Sequence, residues 1–444
     1  LKKLFPVLAI LALGASRSLS ALFDLAGTVR AAGLGATDGG WGDRVVGAAA
    51  QAAGWKAAGL AHAALSAVPW ILGFAVLFFL AEKFPLRRRW IAPVFVWLCW
   101  GIAFAGGIRD GWSAWTARID DLRLLAPVGL LESVRAAGPG ARVFLNPSGV
   151  VPVAAIAPEL VDRSLSPEAL DGLARSPVRW RNEDRIRGFS AALISGRLPD
   201  AKPLIRHLLD SPDWRLAAVD NQGLLFLRGG GETRREVRVP DDLAPRERAI
   251  YLAQYALALD AAGLSTEAKG RMDEAMDLAG GDFDVLVRAA SLAASHGRWE
   301  RARKLATRAD ALRPGAFESS HLLAWTLLET GAPEKAFDLA TRLTARHPDD
   351  FAALLLRARA ARASGNFSAE TDTLERMLRL AHDTPEAALR VHIHLAQSWS
   401  RRGFPDQALS HYRAALDGNP DATECREIRE AMAAIEKNRL PSGN

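Results

Sequence analysis

Few side chains in this chain stand at spacings that support chemistry. His392 and His394 are the nearest pair of the nine histidines, and imidazole is the commonest protein ligand for zinc-like cations. On a helix, residues two apart face away from each other, so this pair does not share an ion and the histidines read as surface or packing residues. Asp120 and Asp121 offer two carboxylates of the kind used in acid–base catalysis, yet neighbours on a helix diverge by about 100°, which favours a solvated face. The stretch Arg228 to Glu232, "RGGGE", is glycine-rich but lacks the Lys-Ser or Lys-Thr that completes a phosphate cradle. Neither Gly-x-Ser-x-Gly nor His-Glu-x-x-His occurs. Two cysteines, Cys99 and Cys425, give no disulfide framework and no zinc spacing. The expectation is a protein that is not an enzyme, holds no cofactor or metal, and works by binding.

The elements that would position a binding surface follow from length and pattern. At 444 residues, with 24% charged and 49% apolar side chains, the chain exceeds one ordinary core and reads as two or three units. A formal charge of +6 is a weak excess over that length, and no basic-aromatic module accompanies it, so nucleic acid is not an expected partner. Thirteen tryptophans stand against three tyrosines, and eight of them (Trp41, Trp55, Trp70, Trp90, Trp97, Trp100, Trp112 and Trp115) lie in or just after the first quarter, as in aromatic girdles at a lipid interface.

Between His62 and Glu82 no residue is charged, and the same holds from Trp90 to Ile108. Each run matches the roughly 20 residues a helix needs to cross a bilayer. Lys83, Arg87, Arg88 and Arg89 sit between them, as in a short cytoplasmic loop, so the expectation is a transmembrane hairpin over 63–109 that delivers the rest of the chain to the outer side. Residues 1–22, with Lys2 and Lys3 before an apolar run, read as a signal peptide or first anchor, and 23–62 as outward-facing short helices. In a bacterium this places the C-terminal domains in the periplasm, tethered to the inner membrane, with the lipid bilayer as one partner.

From Arg118 the pattern changes to a small α/β domain over 118–232. A helix is expected from Arg118 to Gly138, a strand at "ARVFLN" stopped by Asn-Pro, a helix opened by Ser166 and Pro167, another at "PLIRHLLDS", and a hairpin turning at Asn221 to Gly223. The residues Val143 to Pro147 and Trp214 to Arg228 resemble the soluble domain of bacterial GT-C-like membrane glycosyltransferases. That resemblance implies an alternative: a divergent or truncated relative of such enzymes, acting on lipid-linked sugars.

The C-terminal part is organised by a repeat. Gly263, Gly297, Gly331 and Gly365 recur every 34 residues, and Gly403 follows after four more. Seven residues before each stands an alanine (Ala256, Ala290, Ala324, Ala358, Ala396). Five after stand Ala268, Ala302, Ala336, Glu370 and Ala408; seventeen after stand Gly280, Pro314, Pro348, His382 and Pro420. Small residues let two helices approach, glycine permits the turn between them, and proline ends the second. Trp399 and Tyr412 should fill space between helices. Glu370 and His382 break the pattern, and the extra residues around Asp383 to Glu386 should loosen the fourth unit's join to the fifth. These columns resemble the tetratricopeptide repeat family. The fold class expected is therefore mostly α: N-terminal transmembrane helices, the small α/β domain, and an α-solenoid of about five hairpins over 246–420, closed by a capping helix and tail at 421–444.

In that family the first helix of each hairpin lines a groove that binds peptides or proteins. The resemblance carries His321 and Trp325, Arg359 and Arg362, and Arg390, Gln397 and Arg401 onto that surface as partner-binding residues. Arginines beside an indole would hold an acidic peptide or an anionic glycan by paired hydrogen bonds and stacking. The competing reading is a solvated arginine face with Trp325 in the core. Protein partners in the groove are expected, and self-association into a homo-oligomer is an open alternative.

Overall fold

The computed structural model describes residues 122–136, 141–162, 164–196, 198–229, 235–381, 385–417 and 422–439, together with Val46 and Ala61. The two apolar runs, Asp120 and Asp121, most of the RGGGE stretch, His382 and Pro420 lie outside the described residues. Among the described residues no helix is long and apolar enough to cross a membrane. The chain divides into two compact units that interleave in sequence, one of residues 1–165, 189–198 and 213–237, the other of 166–188, 199–212 and 238–444.

The first unit is built on a five-stranded sheet. Helix α1 (Val128–Ala136) begins ten residues later than the periodicity of "RIDDLRLL" suggests, after a short 3-10 turn at Leu122–Leu124. The break falls at Pro127, which has no N–H to continue a helix but whose carbonyl accepts from Leu130 and Leu131. Strand β1 (Val143–Leu145) follows, then helix α2 (Pro147–Ile156), strand β2 (Ala191–Ser195), the hairpin β3 (Trp214–Val219) and β4 (Gly223–Arg228), and the short β5 (Arg235–Glu236). The order in the sheet is β1-β2-β4-β3-β5, with β1 parallel to β2, β4 antiparallel to both β2 and β3, and β5 parallel to β3. Every residue of β1 and β2 is buried, so these strands show no alternation of apolar and polar positions. Leu130, Leu131 and Val134 of α1 pack with Val143, Leu145, Leu193 and Leu225 to form the core.

The expected Asn-Pro stop after β1 does more than end a strand. Asn146 donates through Nδ2 to the Ser195 carbonyl (2.9 Å) and to Ser148 Oγ (2.8 Å), and its Oδ1 accepts the Ser195 N–H (2.8 Å), fastening the end of β1 to the end of β2. Pro147 then opens α2, the favoured place for proline in a helix. The hairpin turn is likewise tied down: Asn221 donates to the Arg123 carbonyl (2.7 Å) and Gln222 to that of Leu124 (2.6 Å).

The second unit opens with helices α3 (Pro167–Arg175), α4 (Pro177–Arg187) and α5 (Lys202–Asp210). Ser166 and Ser176 cap α3 and α4 by accepting from Ala169 and Arg179. Ten more helices then form five hairpins among the described residues: α6 (Pro245–Ala261) with α7 (Ser265–Ala279), α8 (Phe283–Ser295) with α9 (Trp299–Leu312), α10 (Phe317–Glu329) with α11 (Pro333–Arg346), α12 (Phe351–Ala363) with α13 (Phe367–Leu380), and α14 (Pro385–Arg401) with α15 (Pro405–Asp417). A final helix, α16 (Ala422–Arg439), lays Ile428, Met432 and Ile435 against Ala396, Tyr412 and Ala415.

The repeated glycines all adopt left-handed backbone, with φ between 67° and 80°. At each, the N–H of the following residue reaches the carbonyl five positions back: Leu264 to Leu259, Arg298 to Ala293, Ala332 to Leu327, Asn366 to Ala361 and Phe404 to Trp399. This is a Schellman ending, and it stops the first helix at a fixed angle. The alanines on either side meet where the two helices cross. Ala256, Ala290, Ala324 and Ala396 are 0% exposed, as are Ala268, Ala302, Ala336 and Ala408.

Glu370 occupies this same buried column, 2% exposed. Its carboxylate accepts from Ser398 Oγ (2.8 Å) and Arg401 Nη2 (3.1 Å) of the next hairpin, while Arg402 donates to Thr371 (3.1 Å) and lies over Trp399 (4.4 Å). Breaking such a pair on one side leaves a charge in a dry place. Because the Arg401 side chain is 41% exposed, its loss should cost about 1–3 kcal/mol, below the figure for a fully buried pair. Arg401→Ala should therefore lower the thermal midpoint more than the double change Glu370→Ala with Arg401→Ala, which restores the small residue of the other hairpins. Equal losses in thermal denaturation would show that the ion pair does not hold this joint.

A second polar group is buried in the sheet unit. Asp220 Oδ1 accepts from the N–H groups of Gln222 (2.8 Å) and Gly223 (2.9 Å), and those of Gly129 and Leu130 at the start of α1 also favour its charge. Burial outweighs all four and pushes the carboxyl up to about 7 from 3.8. A raised carboxyl gives stability that is whole below about pH 4 and is lost as pH climbs through about 7, on the order of 4 kcal/mol in all. Hydrogen exchange of β3 and β4, corrected for its intrinsic pH dependence, should show weaker protection at pH 8 than at pH 5. Asp220→Asn should flatten that difference, and a profile unchanged by the substitution would refute the assignment.

Candidate protein-interaction face

The first helices of the hairpins pack in sequence, α6 on α8, α8 on α10 and α10 on α12, so side chains along their free sides form one continuous face. Direct packing between α12 and α14 is thinner, as the insertion at Asp383 to Glu386 leads one to expect. The two helices still share an apolar cluster of Leu354, Ala358, Val391 and Leu395, which includes Leu374 and Met377 of α13.

The expected partner-binding residues fall into two linked groups. His321 and Trp325 lie one turn apart on α10, both half-buried. The His321 ring stacks on Phe317 (5.7 Å, 19° between planes), and Trp325 meets Trp299 edge to face (5.4 Å, 66°). Trp325 also packs beside Ala324, Ala340 and Leu356, and its indole N–H donates to Glu329 (3.2 Å). The body of Trp325 thus serves the core while its indole N–H is turned to Glu329.

Glu329 links this aromatic group to the arginines, since it also stands 3.7 Å from Arg359. Arg359, Arg362, Arg390 and Arg401 all act electrostatically on one side chain, His394. Burial is the main cause that drives the His394 pKa down, and the four guanidinium groups add to it. An uncharged imidazole set among four cations marks a region of concentrated positive potential. Sequence reasoning passed over His394 by asking only whether it faced His392.

Carboxylates of the chain already lie against part of this region. Arg401 holds Glu370, and Arg390 stands 3.7 Å from Asp171 of α3, within the same unit. Arg362, half-buried, has no carboxylate partner among the described residues. Gln397, half-buried on α14, offers an amide beside the arginines' helix. Arg401 is therefore a structural residue as much as a surface one, Arg359 is met by Glu329, and Arg362 carries the clearest guanidinium capacity for a partner. The signal for the missed use of Arg401 was in the sequence: Glu370 alone interrupts the small-residue column and required a cation nearby.

Among the described residues no group of three or more histidine, cysteine or acidic side chains converges as a metal centre. The face has hydrogen-bond donors in excess, an apolar shoulder at Trp325 and Trp299, and no assembled nucleophile and base.

No protein-family model and no curated protein matches the chain. Among solved structures, MamA from Desulfovibrio magneticus RS-1, residues 41 to the end, is 20% identical with a TM-score of 0.35, covering 40% of this chain and 96% of that one. A MamA structure from MSR-1 is 21% identical with a TM-score of 0.33, covering 39% and 97%. YrrB, described as a TPR protein with an unusual peptide-binding site, is 14% identical with a TM-score of 0.33, covering 41% and 92%. The matches fall on the C-terminal region, where five helical hairpins recur in register, each turned at a left-handed glycine.

Proposed function

We propose that this protein is a membrane-anchored scaffold or adaptor whose tetratricopeptide-like array binds partner proteins on the outer, periplasmic face of a bacterial inner membrane. The observation that carries the binding role is the gathering of Arg359, Arg362, Arg390 and Arg401 around His394, beside the aromatic shoulder of Trp325. The membrane part of the reading draws on the two uncharged runs and the basic residues between them.

The partner chemistry this face favours is an extended acidic peptide. Guanidinium groups pair with carboxylates in a planar, two-point geometry, and Trp325 supplies a surface for an apolar or aromatic side chain next to them. Glu329, Asp171 and Glu370 already place carboxylates against three of the four arginines, which is the same recognition on a smaller scale. Association should be salt-dependent, since the arginines are partly exposed and screening acts over about 10 Å at 0.1 M salt.

Fluorescence polarisation with a Glu-rich labelled peptide tests this. Reversal of Arg359 and Arg362 to Glu should weaken binding at least tenfold, about 1.4 kcal/mol, without changing the far-ultraviolet circular dichroism. A Lys-rich peptide that binds as well as the Glu-rich one would defeat the acidic-partner reading. Cross-linking in native membranes checks the scaffold role separately: a specific protein should be captured by the full chain and lost on truncation after Gly231. Concentration-dependent sedimentation with no other partner captured would instead favour self-association.

A further inference from the structure

The short helices that open the second unit carry a surface the hairpin array does not use. On α4, Val178, Arg181, Asn182, Arg185 and Ile186 stand at i, i+3, i+4, i+7 and i+8, which is one side of a helix, and all five are exposed. Ile186 is 77% exposed, the most open large apolar side chain among the described residues. Trp180 lies on the opposite side and is fully buried, so α4 cannot roll to hide this face. On α5, Lys202, Arg206 and Leu209 are likewise exposed at i, i+4 and i+7. The two helices pack on each other and both on α3, and the charge of Arg181 reaches His207 of α5, so the two exposed sides adjoin.

Charge on this surface is left unmatched. Off the face, Arg175 holds Asp171 and Arg187 holds Glu183. On it, no carboxylate among the described residues meets Arg181, Arg185, Lys202 or Arg206. One acid, Asp210, stands among them and leaves the balance positive. The cations are spread along two outward helix sides instead of converging on a point, which suits a plane of anions better than a single small one. Ile186, Val178 and Leu209 between and beside them require an apolar medium at the same level. A bilayer surface with acidic phospholipids offers both, phosphates at the height of the guanidinium groups and acyl chains a few ångströms deeper. The chain also brings its own tether. The second uncharged run ends at Ile108 and the first described turn begins at Leu122, and the residues between, 109–121, reach at most ~45 Å when fully extended. A tethered face meets the bilayer at high effective concentration, so a contact too weak to recruit a free protein is enough.

We infer that the outward face of α4 and α5 seats on the anionic headgroups of a phospholipid bilayer, with Arg181, Arg185, Lys202 and Arg206 on phosphates and Ile186 entering the acyl boundary. The tether rests on the membrane part of the proposed function, whereas the face is a separate, peripheral contact. Acidic lipids are required, because the trimethylammonium group of a phosphocholine head stands in front of its phosphate and repels a guanidinium. The face shares no residue with the arginines around His394, so an acidic peptide and the lipid surface do not compete for one set of cations.

The test is spin labelling of the full chain. A nitroxide goes on Asn182→Cys, in the middle of the face, with Cys99→Ala and Cys425→Ser removing the other thiols; a control label goes on Glu334→Cys, exposed on α11 of the array. With excess vesicles of phosphatidylcholine and phosphatidylglycerol, collisions of the 182 label with oxygen, relative to a chelated nickel probe, should rise about twofold or more over vesicles of phosphatidylcholine alone. The 334 label should not change. Arg181→Glu with Arg185→Glu should abolish the rise, Lys202→Glu with Arg206→Glu and Ile186→Ser should each reduce it, and about 0.5 M salt should abolish it in the unaltered face. A 182 label equally open to water with both lipids would overturn the assignment, as would a rise that survives both charge reversals. A label that is immobilised by the Glu-rich peptide but not by acidic vesicles would give the face to an acidic protein instead. Alkaline carbonate washing of the same vesicles reads the tether separately: a chain washed off although its 182 label had entered lipid refutes the anchor and keeps the face, and a chain retained with a water-exposed label does the reverse. Circular dichroism checks the fold of each variant, and the salt result decides if a charge reversal does not fold.

Discussion

The close crossing of paired helices at buried alanines is the constraint on which the second unit depends. A side chain larger than a methyl group at Ala290 or Ala302 has nowhere to go, because both are fully buried where α8 meets α9. The glycine between them then has to turn the chain within a few residues, and its left-handed backbone does so while returning hydrogen bonds to the last carbonyls of the first helix. Once crossing point and turn are fixed, the positions of all other side chains on the hairpin follow. The arginine face is a consequence of this spacing repeated along the array.

Glu370 shows how the constraint is relaxed. A carboxylate in a methyl-sized column is tolerable only when its lone pairs are met, and Ser398, Arg401 and the neighbouring Thr371–Arg402 bond together turn one joint from purely apolar to partly ionic. The cost is that one of the four arginines around His394 is committed to structure. Electrostatics in the sheet unit runs the other way: among the described residues Asp220 is met by N–H groups and no cation, and its burial favours the protonated form.

Much of the hairpin array was legible in the sequence because its signal is periodic. Five glycines, nine of the ten flanking positions and three of the five positions after the second helices follow one pattern, and each has one physical role. The sheet unit was less legible, for reasons specific to its elements. Strand β2 is buried on both sides, so its run of apolar residues carries no alternation to read. Helix α2 contains three valines and an internal proline, which disguise it as extended chain. Helix α4 buries Trp180 but otherwise presents mostly charged residues, leaving little apolar period. At the candidate site the residue types were readable and the pairings were not. His392 was compared with its neighbour in sequence, although the antiparallel register about Gly403, which sets Ala396 near Ala408, brings it within hydrogen-bond distance of His411. The expectations for residues 1–109 rest on hydropathy and charge, and all of those residues except Val46 and Ala61 lie outside the described part of the chain.

The Schellman endings also govern how the array would yield to mechanical load. Each turn is locked by backbone bonds inside its own hairpin, whereas the described bonds between neighbouring hairpins all use at least one side chain, so tension applied along the chain would part hairpins from one another before any single turn unravelled. With ionic bonds sharing the load at the first and fourth joints, extension would proceed in discrete steps of unequal force rather than as one smooth stretch.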